Sequence, residues 1–220
     1  MNPRSNSTQW RDRLPIQELL ALSDVLPESF YCRPTVAVAR DLLGKILVHG
    51  RAAGRIVEVE AYLGADDLAA HASRGLTPRT KVIFGPPGRA YVFFIYGMYE
   101  CLNLIAEPEG VPGCVLIRAL EPLCGIQAMR RRRPAARRIE QLASGPGRLT
   151  QALAITRRHN GIPVTSGDLT VRRLPPEPRL EILATPRIGI RQSTDRPLRF
   201  LIAGNPFVSR PPAAPPTGSK

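Results

Sequence analysis

The sequence predicts a single α+β domain: a curved, mostly antiparallel sheet with a protruding β-hairpin, flanked by helices. Three observations lead there. At 220 residues the chain suits one core better than two. With 43% hydrophobic and 22% charged residues it has enough apolar material to bury a core, which excludes wholesale disorder. Finally, the patterned segments run strands first, helices second and strands last, without the regular alternation of a doubly wound sheet. No apolar run approaches the roughly 18 residues of a bilayer span. The polar start MNPRSNSTQWRDR has no apolar core of a secretory leader. No membrane association is expected, and the cytoplasm is the expected location.

Residues 1–13 are expected to be disordered, 26–209 to form the working domain, and the proline-rich 210–220 to be a disordered tail, because proline removes donors and nothing apolar recurs there. Pro34 followed by TVAVARDLLG reads as a short helix stopped at Gly44, then KILVH as a strand. RIVEVEAY alternates over 55–62, which assigns Val57, Val59 and Ala61 to a core face and Ile56, Glu58, Glu60 and Tyr62 to the other. Residues 66–88 are rich in turn formers. AYVFFI and YECLNLIA flank Tyr96, Gly97 and Met98 and predict a hairpin with an aromatic tip. GCVLIRAL reads as a strand ending at Arg118, and PLCGIQAMRRRR and RRIEQLA as helical. SGPGRLTQALAI opens another helix from a Gly/Pro turn, which leaves backbone N–H groups free at its start. LTVRRL, RIGIR and LRFLIAG are candidate closing strands.

The formal charge of +13 calls for a phosphate-bearing or anionic partner. Placement says more than the total: between Arg118 and Arg173 stand twelve arginines and three acids. Cys32, Cys101, Cys114 and Cys124 form no C-x-x-C pair and have no histidine at finger spacing, so no metal site and four free thiols are expected.

Several residues could carry chemistry, each with a plainer alternative. Glu60 can be presented to a cleft as a general base, or be a solvated edge carboxylate; Glu58 shares its face, and spacing does not choose between them. Arg118, after five apolar residues, must reach a surface, a carboxylate or a phosphate, and beside a carboxylate it would favour the charged form. Asn103 is a buried amide that needs partners, whether backbone or ligand. His71 belongs to no metal motif, and Ser73 lacks a nucleophile's setting. Tyr91, Phe93, Phe94, Tyr96 and Tyr99 fall within nine residues. Aromatics in strands usually fill cores, but Tyr96 beside Gly97 at a turn would suit stacking on, or wedging into, nucleic acid.

RIVEVEAYLGADDLAAHASRG, TPR, AYVFFIYGMYECLN, GCVLIRALEPL and SGPGRLTQALAI, in that order and spacing, resemble the alkyladenine (3-methyladenine) DNA glycosylases of the mammalian type, a family also found in bacteria. The resemblance spans about residues 30–209. It implies excision of damaged purines from double-stranded DNA by hydrolysis of the N-glycosidic bond, with no cofactor, by a nucleoid-associated monomer. Under it, Glu60 activates the attacking water and Arg118 helps hold that water. Tyr62 and His71 wall the pocket, Asn103 disfavours undamaged guanine, and Tyr96 with Met98 fills the gap left by the flipped nucleotide. Arg148 and Arg79 would meet DNA phosphates. Phe93 stands where the family commonly has a tyrosine, which keeps the ring but loses a hydroxyl. Arg148 replaces a lysine of some relatives.

This chemistry agrees with the residues. Alkylated purines are good leaving groups, and a carboxylate both activates water and stabilises a cation-like sugar. None of Lys45, Lys81 and Lys220 lies in a motif suited to a lyase amine, so simple hydrolysis to an abasic site is expected. Two other readings compete: a non-enzymatic nucleic-acid binder using the arginine patch, and a helix-hairpin-helix glycosylase whose catalytic acid would be Asp168.

Overall fold

A computed structural model describes residues 11–95, 97–177 and 179–211. The described chain forms one α+β domain around a curved antiparallel sheet. Its strands are β1 (Asp24–Val25), β2 (Ile46–His49), β3 (Ala52–Tyr62), β4 (Ala90–Ile95), β5 (Tyr99–Ile105), β6 (Cys114–Cys124), β7 (Leu169–Arg173), β8 (Ile182–Thr185) and β9 (Arg199–Ile202). The sheet runs β1-β7-β2-β3-β6-β5-β4. β3 is paired along its length with β6; on its other side its first half meets β2 and residues 58–60 meet β9, which carries β8.

The helices are α1 (Ile16–Leu22), α2 (Glu28–Tyr31), α3 (Thr35–Leu42), α4 (Ile126–Arg132) and α5 (Pro146–Leu153). Three of them contribute Val38, Leu42, Met129, Leu149 and Leu153 to the main core, against Ile56, Val59, Ala61, Leu102, Leu104, Val115 and Ile117 of the sheet. The alternation of strand side chains then decides the other face: Tyr91, Phe93 and Ile95 of β4, Cys101 and Asn103 of β5, and Cys114 and Leu116 of β6 all turn to a single cleft.

Two compensating bulges modify the expected alternation of β3. Ile56 pairs with Leu120 but Glu58 with Ala119, and Val59 then pairs with Ile117, so Val57 is one extra residue on β3 and Arg118 one extra on β6. Ile56 therefore joins Val59 and Ala61 in the main core, while Val57 moves to a second cluster with Ala119 and Phe207. A bulge bends its strand and re-aims a side chain, which is what Arg118 requires.

Other sequence expectations need correction. Arg118 does not end its strand; β6 continues to Cys124, with every residue buried. Of the segment RRIEQLA, only Ile139–Gln141 forms a single 3₁₀ turn. RIGIR is no strand, and the closing strand before β9 is Ile182–Thr185. Disorder as far as residue 13 does not hold for its last residues: Asp12 accepts from the Ile126 N–H at 2.8 Å and Arg13 pairs with Glu121 at 2.6 Å, while α1 packs Ile16 and Leu19 on Ile46 and Val48. Residues 1–10 and 212–220 lie outside the described residues, as does Tyr96. Among the described residues no helix is long and apolar enough to cross a membrane.

Candidate active site

The cleft has a volume of about 830 Å³, within the roughly 300–1,000 Å³ of sites that take small organic ligands. Its floor is the second face of β3, β4, β5 and β6. One wall is the start of α5, residues 145–148; the other is the irregular segment 188–192.

Glu60 lies directly behind that surface, with no solvent exposure. Its Oε1 accepts the Ile188 N–H at 2.7 Å, and its Oε2 accepts the Tyr62 hydroxyl at 2.9 Å. Arg118 Nη1 stands 3.2 Å from Oε2. Ile188, Tyr62 and Arg118 all line the cleft, so Glu60 is one contact removed from it. The expectation of a solvated edge carboxylate is thereby replaced: a charge taken out of water needs such partners. Glu58, also fully buried, takes Arg118 Nε at 3.2 Å and Arg199 Nε at 2.7 Å. Two carboxylates thus face two guanidinium groups, with Arg118 shared between Glu58 and Glu60.

Tyr62 is held from a direction that sequence reading missed. Asp67 and Arg187, both with fully buried side chains, form a two-pronged ion pair at 2.6 and 2.7 Å. Arg187 also donates to the Ala61 carbonyl at 3.0 Å, and its guanidinium lies 4.7 Å from the Tyr62 ring centre. One ring face is thus covered by a cation. Burial, reinforced by the Glu60 charge and hydrogen bond, raises the Tyr62 phenol above its ordinary range, so at neutral pH it is a donor. These ties also explain why RIGIR is irregular: its Arg187 is committed to Asp67, its Ile188 N–H to Glu60, and Gly189 has φ of +77°.

On the opposite side, His71 Nδ1 sits 3.0 Å from the Tyr91 hydroxyl, and its ring meets Phe93 edge-on at 4.6 Å. Burial, helped by the charges of Arg79 and Arg74, lowers the His71 pKa to about 4. The imidazole is therefore neutral at pH 7. The Nδ1–Tyr91 hydrogen bond runs in one direction or the other with the imidazole tautomer, and when the Tyr91 O–H is its donor, Nε2 carries the proton. Phe93 is stacked by Arg79 at 5.4 Å. Asn103 Nδ2 donates to the Tyr91 carbonyl at 3.2 Å, and its Oδ1 faces the Cys114 thiol at 3.9 Å. Asn103 thus ties β4 to β5 while lining the cleft.

At the mouth, exposed Arg148 turns back on Ser144, donating to its carbonyl at 3.2 Å. Gly147 packs so closely that a Cβ there would lie 2.7 Å from the Tyr99 ring. Met98 is 65% exposed on the turn between β4 and β5, where its N–H reaches the Ile95 carbonyl at 3.2 Å. Asp168, by contrast, is exposed on the turn before β7 and does not line the cleft, so a catalytic acid at that position finds no support. Among the described residues no group of three or more His, Cys, Asp or Glu is arranged to hold a metal ion.

The sequence profile described as methylpurine-DNA glycosylase (MPG) matches residues 29–206. The chain belongs to that family. It is 52% identical over 194 residues to a protein of Methanocella arvoryzae, covering 84% of this chain and 96% of that one. It is 51% identical over 193 residues to a protein of Koribacter versatilis, with 84% and 92% covered, and 50% identical over 191 residues to one of Methanoculleus marisnigri, with 84% and 98% covered. All three are provisionally designated 3-methyladenine DNA glycosylases. As a member of this family the chain is a DNA glycosylase, a hydrolase of N-glycosyl bonds.

Proposed function

We propose that the protein flips a damaged purine, alkylated or deaminated, out of duplex DNA into the cleft and hydrolyses its N-glycosidic bond, leaving an abasic site. The observation that carries this reading is the placement of Glu60 just behind Arg118, 3.2 Å apart, at the floor of a cleft roomy enough for a purine nucleotide and lined by Tyr62, His71 and Phe93. The extruded base lies between Tyr62 and the His71–Phe93 side. The Arg187 guanidinium covers the other face of Tyr62 and leaves one face free to stack. His71 Nε2 donates to an acceptor on the purine edge, a bond that a neutral imidazole can make.

Glu60 serves as the general base toward water, and Arg118 orients that water and its product. Glu60 Oε1 accepts one hydrogen bond, from the Ile188 N–H, and its second lone pair takes the attacking water once the side chains lining the cleft shift to admit it. The developing cationic sugar is then opposed by the carboxylate, as in inverting glycoside hydrolysis. An N-alkylated purine leaves readily, and its weakened pairing lowers the few kcal/mol that flipping costs.

Met98 and Tyr96 occupy the vacated stack in this reading. Arg148, which lines the cleft, and exposed Arg79 meet the flanking phosphates in this reading, once Arg148 releases Ser144 and Arg79 leaves the Phe93 ring. With Phe93 in place of a tyrosine, the His71 wall offers a base stacking without a second hydroxyl. The reading is tested by incubating the protein with duplexes that each hold one lesion (3-methyladenine, 7-methylguanine, hypoxanthine or ethenoadenine) and cleaving abasic sites afterwards. Strand breaks at the lesion only after abasic-site cleavage are expected; intact strands for every lesion, or breaks without that treatment, contradict it.

A further inference from the structure

Glu58 does not itself line the cleft, yet its carboxylate joins four separate parts of the chain. From β3 it accepts Arg118 Nε of the β6 bulge at 3.2 Å, Arg199 Nε of β9 at 2.7 Å, and both the hydroxyl, at 2.8 Å, and the backbone N–H of Ser209. Resting on the glycosylase reading above, we infer that Glu58 is a positioning residue of the site. It turns the Arg118 guanidinium toward Glu60 and fastens residues 207–210 as a wall of the cleft.

The first half of this role follows from guanidinium geometry. The donors of arginine lie in one rigid plane, so when Nε is fixed on Glu58 the plane is fixed too, and Nη1 is delivered to Glu60 at 3.2 Å. Without the Glu58 charge, Arg118 and Arg199 would share one remaining carboxylate. Arg199 already stands opposite Glu60 in the β3–β9 register and would compete with Arg118 for it.

The second half concerns a segment past the family-matched residues, which end at 206. Phe207 is buried against Val57 and Ala119, and Ser209 and Arg210 line the cleft. Between them the segment is held by the two Glu58 bonds and by Arg199, which also donates to the Arg210 carbonyl. Glu58 therefore couples the wall of the cleft to the orientation of Arg118.

A double-mutant cycle in single-turnover base release separates this role from a merely structural one. Glu58→Gln in the full chain is expected to slow release by about 10- to 100-fold, the scale of an ångström's misplacement in a site, with duplex affinity kept. In an Arg118→Gln background the same change should cost no more than about twofold. Equal losses in both backgrounds, or no loss in the first, overturn the Arg118 role. If Glu58→Gln does not fold, Glu58→Asp keeps the charge, withdraws it by one methylene and enters the cycle instead.

Hydrogen exchange on the unliganded protein tests the fastening independently of activity. Glu58→Gln, Glu58→Asp and Ser209→Ala should all speed exchange across 207–211, whereas unchanged exchange overturns that part. A wild-type protein that releases no base from any lesion removes the glycosylase reading and the Arg118 role with it, and leaves exchange to decide the fastening alone.

Discussion

Replacing Asp67 by Ala removes the only carboxylate hydrogen-bonded to Arg187 among the described residues and leaves a guanidinium with no exposed surface. Breaking a buried pair by deleting one partner costs about 3–5 kcal/mol, because the remaining charge is uncompensated. The Leu63 and Ala69 N–H groups, which donate to Asp67 at 3.0 and 3.3 Å, lose their acceptor as well. For a chain of this size each kcal/mol is worth about 2–4 °C, so the melting temperature should fall by about 6–20 °C. The double variant Asp67→Ala/Arg187→Met removes both charges, and apolar replacement of a buried pair is often neutral or stabilising, so it should recover most of the loss. It should not recover base release, because Tyr62 then lacks the cation 4.7 Å beneath its ring. Urea melts of the three proteins, with release assayed on the same preparations, provide the test. A single variant that loses less than about 1 kcal/mol, or a double variant no more stable than the single, would refute the reasoning that the pair is a desolvated support for the site.

Three further expectations concern other parts of the molecule. His71 should titrate near pH 4 in an NMR experiment; because its folded pKa lies below the unfolded value of about 6.5, its contribution to stability is complete above that value and is lost as pH falls toward 4, and a midpoint near 6.5 would contradict the desolvation of the ring beside Arg79 and Arg74. Gly147→Ala should cost about 1–3 kcal/mol and displace Tyr99, since the new Cβ would lie 2.7 Å from its ring; a wild-type melting curve would argue that Tyr99 is free to move. Duplex affinity should fall steeply with salt, at about 0.9 logarithmic units per tenfold salt for each phosphate neutralised, and a flat dependence would detach the arginines of 118–173 from the DNA backbone.

Much of the site could be read from the chain because strands display alternate residues on one face. Positions 58, 60 and 62 share a face in the sequence and in the fold, and the aromatic run of 91–99 lines the cleft through Tyr91, Phe93 and Tyr99. Alternation could not reveal the bulges at Val57 and Arg118, because an extra residue is visible only in the pairing of two strands 60 residues apart. Nor could it find Asp67–Arg187, whose partners lie 120 positions apart. The local signal is an arginine among apolar neighbours in RIGIR, a candidate strand by its residues; two ties, Arg187 to Asp67 and the Ile188 N–H to Glu60, override that preference. Asn103 both lines the cleft and holds the Tyr91 carbonyl, so its buried amide has the backbone partner that such a group requires.

The most direct measurement compares base release by the wild-type protein and Glu60→Gln on a single-lesion duplex, with binding to that duplex recorded in parallel. An amide at position 60 can still accept from Ile188 or Tyr62, so the pocket and the affinity should survive, while release should drop by about 10²- to 10⁴-fold, the usual contribution of a general base. Undiminished release by Glu60→Gln would show that the water is activated by another group.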